Sequence, residues 1–397
     1  MTLTSERLVI EGGQPVRHGQ VPLHRPWFDE REQSAVSAVL AGGRVAGDGV
    51  HGRELERLLA AHMGAGVLAV NSCTSALEIA VKVAGLGPGD EVILPSFTFV
   101  STANAVLNGS AHPVFADIDP ATFGLDASDV ERRITPRTRA ILAMHYGGMA
   151  CDMAALNGIA DRHGLILIED AAHALNATWR QQPLGCCGAL GTLSFHETKD
   201  LVCGEGGALI VRDDQARMHA AEILREKGTD RTAFLRGDRD KYTWVGAGSS
   251  YVLSDLLAAV AVVQFAKLPE ITRRKTAQAN RLLEALAPYR DVVQLPVVPD
   301  GCRPNWHVFP VLVAPAKRAW TIQALRAEGL AAAFHYVPLH SAPYAERAGI
   351  AAVDLPVTDR VAASLLRLPI SADFSSEECE HVVAGCVKVF EHLAARA

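Results

Sequence analysis

Between residues 67 and about 213 the chain alternates short apolar runs with helical patterns, and that rhythm leaves few architectures open to it. The runs fall at 67–70, 91–95, 113–117, 140–144, 165–170 and 208–211. Such spacing predicts a doubly wound α/β domain, a mostly parallel sheet flanked by helices on both faces. This large domain is expected over residues 1–265, N-terminal arm included. A helical stretch over 253–286, broken near Pro269, leads into a small α+β C-terminal domain over 266–397. There the runs 308–313 and 333–337 read as strands on either side of a helical segment at 321–328. At 397 residues and 49% hydrophobic, the chain has material for both cores.

Charge and composition exclude several classes. The formal charge of −6 is modest and scattered, with no basic tract to follow a nucleic-acid backbone, so no nucleic-acid partner is expected. The longest apolar stretch, 256–263, is too short to span a bilayer, and residues 1–7 lack the apolar core of a signal peptide. No membrane association is expected, and the location is read as cytoplasmic. None of the eight cysteines forms a C-x-x-C pair, so they read as reduced thiols, with no metal site.

Three features point to one cofactor. Lys199 follows the strand-like run 191–196 and precedes the glycine cluster 204–207, a setting in which a lysine can form a Schiff base. Asp170 ends the apolar run 165–170, at the end of a strand where open α/β sheets bind ligands. The segment Asn71-Ser72-Cys73-Thr74-Ser75-Ala76-Leu77 joins an apolar run to a helical pattern. Small hydroxyl residues at such a turn leave free N–H groups and a helix dipole facing a bound phosphate. Alternatively, Thr74 or Ser75 simply caps the helix. Pyridoxal phosphate needs a lysine for its aldehyde, an acid for its ring nitrogen and an anion site for its phosphate.

The strings 71–77, 95–104, 169–173, 194–199 and 204–207, in that order, make the chain resemble the sugar nucleotide aminotransferases among fold type I pyridoxal phosphate enzymes. With 225–229, 241–244 and 335–340 they most resemble the subgroup that aminates C4 of dTDP-4-keto-6-deoxyglucose. The resemblance implies pyridoxal 5'-phosphate as cofactor, with pyridoxamine 5'-phosphate formed during the cycle, and L-glutamate as amino donor. It implies a homodimer with active sites shared between subunits. Lys199 would hold the cofactor and carry the proton, and Asp170 would pair with the ring nitrogen. His173 would contact the ring's oxygen or flank its face. Phe99 would stack on the other face, with Phe97 as the alternative. Ser194, Thr74 and the Cys73 backbone would hold the phosphate. Many relatives have an asparagine reaching the partner subunit's phosphate where this chain has Ser250, with Ser249 beside it. His335, Tyr336 and His340 fall in the sugar-facing loop. Lys241, Tyr242 and Trp244 fall in a segment placed near the neighbouring site, and Arg225, Lys227 and Arg231 are candidates for a diphosphate.

Three other readings compete. Relatives that remove a C3 hydroxyl have His at the position of Lys199, so the lysine favours transamination over dehydration. A non-catalytic cofactor-binding regulator would not need Lys199 and Asp170 together. A fold type I enzyme of amino-acid metabolism would use an arginine late in the small domain, and Arg367 is in that place. The stereochemistry of the new C4 amine is open, because it depends on which face of the sugar meets Lys199.

Overall fold

The computed structural model describes residues 7–350 and 353–396. Its main sheet has seven strands, in the order Gly66–Val70, Gly207–Val211, Leu190–Ser194, Ile166–Asp170, Thr138–Met144, Glu91–Pro95 and His112–Ala116. The five strands from Leu190–Ser194 to His112–Ala116 run parallel to one another, as expected of the apolar runs. Gly207–Val211 runs antiparallel to both of its neighbours. That reversal fixes the position of the site. The chain leaves Leu190–Ser194 at its C-terminal end and re-enters at Gly207, so the connection carrying Lys199 lies at the same sheet edge as Asp170. The register pairs Ser194 and Val70 with Gly207 and Thr192 with Asp170, so both strand ends and the turn after Val70 are neighbours.

Helices cover both faces. Leu55, Leu59, Met63 and the apolar side of helix Asp255–Leu286 pack on one, and helix Cys73–Val83 with its neighbours packs on the other. Asp255–Leu286 runs unbroken through Pro269, contrary to the expected interruption. Tertiary packing overrides the proline's local penalty, since Leu268 and Ile271 beside it are buried. The boundary expected between residues 265 and 266 lies inside this helix.

The C-terminal region has a separate core around the antiparallel strands Phe309–Leu312 and Leu365–Leu368, covered by helices Pro315–Ala327 and Ser376–Ala394. The expected strand at 333–337 is not formed. Ala333 makes a single bridge to Arg367, and His335 and Tyr336 line a cavity instead of pairing. Residues 8–25 lie on this C-terminal core. Leu8 and Val21 are buried in it, Val9 N–H donates to Glu328 at 2.9 Å, and Arg25 pairs with Asp373 and Glu378 at 2.6 Å each.

Candidate active site

The sheet's C-terminal edge opens into a cavity of about 920 Å³ between the main sheet and the C-terminal core. Lys199, Asp170, Cys73, Thr74, Phe99, His173, Ser194, His335 and Tyr336 all line it. Sequence positions from 73 to 336 thus converge on one space.

Lys199 stands in a turned segment, its N–H donating to His196 O at 2.9 Å and Glu197 N–H to Gly204 O at 3.0 Å. Burial lowers the proton affinity of its amine, against the opposing pull of Cys73 and Asp170. Asp170 is buried at the end of its strand. Its Oδ2 accepts from Thr102 Oγ1 at 2.9 Å and its Oδ1 from Ala172 N–H at 3.1 Å. Since the Thr102 hydroxyl donates to Asp170, Thr98 donates in turn to Thr102, at 2.8 Å. Burial raises the Asp170 pKa, so a cation placed against this carboxylate would relieve a real electrostatic cost. Glu169 turns the other way and is fully buried, accepting from Gly185 N–H at 2.8 Å, with His145 Nε2 2.8 Å away. It anchors the strand end from behind.

The segment expected to hold an anion is a helix N-terminus. Cys73–Val83 is capped by Ser72, whose Oγ accepts from Ser75 N–H at 3.1 Å. Capping therefore falls to Ser72 and not to Thr74 or Ser75, which leaves the Cys73 and Thr74 N–H groups free of intrahelical acceptors. The Thr74 hydroxyl lies 2.7 Å from that of Ser101, also in the cavity wall. A Cβ on Gly207 would lie 2.5 Å from Cys73 N, so only glycine lets these backbones close the cradle. Ser194 completes it from the adjacent strand.

His173 is buried. Its Nδ1 accepts from Gly147 N–H at 3.3 Å, which puts the ring proton on Nε2, 3.1 Å from the Tyr336 hydroxyl. Burial and nearby cations keep it neutral. The Tyr146 hydroxyl lies 2.7 Å from His335 Nδ1, so His335 and Tyr336 are both braced from below. Phe99 lies at the mouth, 56% exposed, whereas Phe97 is buried against Tyr146 and Tyr336. Of the two phenylalanines, Phe99 is the one with a face open to a ligand.

This arrangement fits pyridoxal phosphate. It offers a poorly solvated amine, a buried carboxylate that gains from a cationic ring nitrogen, and a glycine-closed helix N-terminus for the phosphate. A family model described as the DegT/DnrJ/EryC1/StrS aminotransferase family matches residues 26–387. The chain belongs to this family. This aminotransferase is 34% identical over 377 residues to spore coat polysaccharide biosynthesis protein SpsC of Bacillus subtilis, covering 92% of this chain and 96% of SpsC. Among solved structures it is similar to S. venezuelae DesV in complex with a ketimine intermediate, with 32% identity, TM-score 0.85, and 96% and 100% of the two chains covered. It is also similar to ntda from Bacillus subtilis with bound cofactor PMP, with 28% identity, TM-score 0.83, and 91% and 82% covered.

Several expected site residues of the aminotransferase lie elsewhere. His340 is buried beneath the loop it was expected to present. Its N–H donates to Ser96 Oγ at 3.0 Å, and its Nδ1 lies 2.7 Å from the same oxygen, so it pins the turn Leu339–Ser341 to the sheet. Arg225 is buried with Glu56 at 2.6 Å and Asp48 at 3.5 Å, and two carboxylates leave its charge already balanced. Lys227 and Arg231 both pair with Glu226, at 3.3 Å. Lys241, Tyr242, Trp244, Ser249 and Ser250 are exposed on one segment and do not line the cavity of their own chain.

Other wall residues escaped the sequence reading. His24 arrives on the N-terminal arm, and both of its ring nitrogens are buried without a hydrogen-bond partner among the described residues. His307 packs on His173 with ring centroids 4.2 Å apart. No local pattern marks either one, because His24 reaches the cavity through the docking of the arm and His307 from the segment entering strand Phe309–Leu312. Thr102 had a signal, lying within the string 95–104. Arg367 lines the same wall with its Nε buried and unpartnered among the described residues, while Nη2 donates to Phe334 O at 3.1 Å.

Proposed function

We propose that this aminotransferase uses pyridoxal 5'-phosphate to move an amino group from L-glutamate to C4 of dTDP-4-keto-6-deoxy-D-glucose, giving a dTDP-4-amino-4,6-dideoxyhexose. The observation that carries the reading is the convergence of Lys199, Asp170 and the Ser72-Cys73-Thr74 cradle on one cavity. Bound there, the cofactor supplies an electron sink and an amino-group carrier. The protein does the rest. The helix N-terminus at Cys73 and Thr74, with Ser194, binds the phosphate. Asp170, held by Thr102 and Ala172, keeps a proton on the ring nitrogen. Phe99 covers one ring face and excludes water at the mouth. Lys199, whose proton affinity burial lowers, would carry the proton between the substrate carbon and C4′ of the cofactor, away from the donor's α-carbon in one half of the cycle and onto C4 of the sugar in the other. His335 and Tyr336 form the wall against which the sugar is oriented.

An arginine is useful to either substrate class. A glutamate donor brings carboxylates that Arg367 can bind, so Arg367 does not favour amino-acid metabolism over sugar chemistry. A sugar substrate is in keeping with the name of SpsC, a polysaccharide biosynthesis protein, and the dTDP-keto sugar rests on the resemblance of the loop at 335–340. The alternative substrate is another nucleotide keto sugar. We further propose a homodimer in which the exposed segment with Lys241, Tyr242, Trp244, Ser249 and Ser250 completes the neighbouring subunit's site.

The test is incubation with pyridoxal phosphate, L-glutamate and dTDP-4-keto-6-deoxyglucose, with NMR of the sugar. A 4-amino sugar is expected, and its H3–H4 coupling distinguishes gluco from galacto. A bleached cofactor band without product would point to a different keto sugar. A band that no amino donor alters would leave only a cofactor-binding regulator.

A further inference from the structure

Asp200 follows Lys199 directly in sequence, yet it faces away from the cavity into a closed polar knot. Its Oδ1 pairs with Lys275 Nζ, and its Oδ2 accepts from Asn305 Nδ2 at 2.9 Å and lies 3.4 Å from His307 Nδ1. Lys275 is fully buried in the middle of helix Asp255–Leu286 and also donates to His307 O at 3.1 Å. Asn305 donates a second time, to Leu175 O at 2.9 Å, and its Oδ1 accepts from His307 N–H at 3.2 Å. Three parts of the chain are thereby tied to the Lys199 turn through the residue beside Lys199: the long helix, the segment entering strand Phe309–Leu312 and, through Asn305, the loop after Ile166–Asp170.

A buried ion pair is weak evidence of stabilisation, because an apolar pair of similar volume often does as well. What an apolar pair does not supply is a directional hold and a balanced charge at a chosen point. We propose that Asp200 is a positioning residue, whose pairing with Lys275 and Asn305 fixes the peptide carrying Lys199 and keeps the electrostatic field at the Lys199 amine balanced. The proposal rests on the reading of Lys199 as the cofactor-binding lysine.

Many other groups face Lys199. They are Asp170 at its strand end and His173 in the loop that follows it, Cys73 on its helix, Arg367 on strand Leu365–Leu368, His307, His335 and Tyr336 from the C-terminal region, and His24 from the arm. Glu205, Glu197 and His196 lie in the Lys199 connection itself and line the same cavity. Asp200 favours the charged amine and Arg367 opposes it. None of these groups is removed by substitutions at 200 and 275, so the field changes only by the charge deleted. Asp200→Asn keeps the shape and leaves the Lys275 cation unbalanced, which lowers the proton affinity at the Lys199 nitrogen. Lys275→Met leaves the Asp200 carboxylate unbalanced, which raises it. The double variant removes both charges and restores the balance.

The experiment is a pH titration of the visible absorption band of the holoenzyme, for wild type and the three variants, with melting temperatures and steady-state kinetics in parallel. The expected result is a titration midpoint displaced by roughly one pH unit downward in Asp200→Asn, upward in Lys275→Met, and returned to the wild-type value in the double variant. In the double variant kcat should stay below wild type while KM is kept, since the directional hold is gone. Midpoints that do not move, or that move in the same direction in both single variants, would overturn the proposal and leave a structural role. If Lys275→Met does not fold, Asp200→Asn and the double variant decide: a displaced midpoint that the second substitution fails to restore overturns it. Absence of the band in wild type would overturn the cofactor reading itself, and this inference with it.

Discussion

At the scale of single residues, the site works by placing charge where water cannot reach it. Asp170 is the clearest case. Its carboxylate is buried, burial raises its pKa, and its two hydrogen-bond donors are neutral groups, Thr102 and the Ala172 N–H. It therefore lacks a cation that a protonated ring nitrogen would supply. Asp170→Asn keeps the volume and removes the charge. The variant is expected to retain cofactor at a stoichiometry near wild type, with kcat lower by a factor of about 10² to 10³. Single-turnover reduction of the cofactor band by L-glutamate measures this, and a half-reaction at the wild-type rate would contradict the assigned role. The same residue-scale logic explains why Arg225 was misread. An arginine in a motif looks available to a diphosphate, but only the fold reveals that Glu56 and Asp48 already neutralise it.

At the scale of elements, what could be read from sequence was whatever repeats locally. Six of the seven strands of the main sheet are apolar runs, and those at 91–95, 140–144, 165–170 and 208–211 match observed strands to within about two residues. The reversal of Gly207–Val211 was not legible, because strand direction depends on pairing and leaves no local pattern. Nor was the continuity of Asp255–Leu286 through Pro269, which packing on the sheet sustains. The anion cradle was legible as far as its hydroxyl residues, but its closing element, Gly207, belongs to a strand more than a hundred residues later. That contact can be tested. A Cβ at 207 would lie 2.5 Å from Cys73 N, 2.6 Å from Ser72 C and 2.7 Å from Leu193 O, all backbone atoms that cannot swing aside. Gly207→Ala should displace the N-terminus of Cys73–Val83 and cost about 1–3 kcal/mol, seen as roughly a tenfold or greater rise in the cofactor's dissociation constant. Unchanged cofactor affinity in a fluorescence titration would show that the cradle does not depend on this approach.

At the scale of the whole molecule, two features extend beyond any one element. The first is a group of buried neutral imidazoles. Burial, foremost, lowers His24 to about 4, His335 to about 2, and His173 and His307 well below the ordinary value. The unfolded chain protonates these four as pH falls through about 6.5, and the folded chain does not. Their folded pKa values are depressed, so the stability they allow is present above that pH and is lost on acidification. Burial pushes Asp170 and Glu56 upward, which acts in the opposite direction. The unfolded chain thus binds more protons through these histidines, and the cofactor-free protein should lose stability steadily as pH falls from about 6.5 to about 4.5. A melting temperature flat across that window would refute this. The second feature is the exposed segment 241–250, where Trp244 is 78% exposed and Tyr242 52%. Large aromatics in such numbers on a surface mark a contact. If that contact is the neighbouring subunit's site, a chain with Lys199→Ala and a chain with Lys241, Tyr242 and Trp244 all changed to alanine should each be inactive alone. Co-expressed under two tags and purified as a heterodimer, they would form one site with every defect and one with none. About half of the wild-type activity per dimer is then expected. A self-contained site would instead leave the heterodimer with half the per-dimer activity that the Lys241, Tyr242 and Trp244 variant shows by itself, because nothing its partner carries could reach across to repair it.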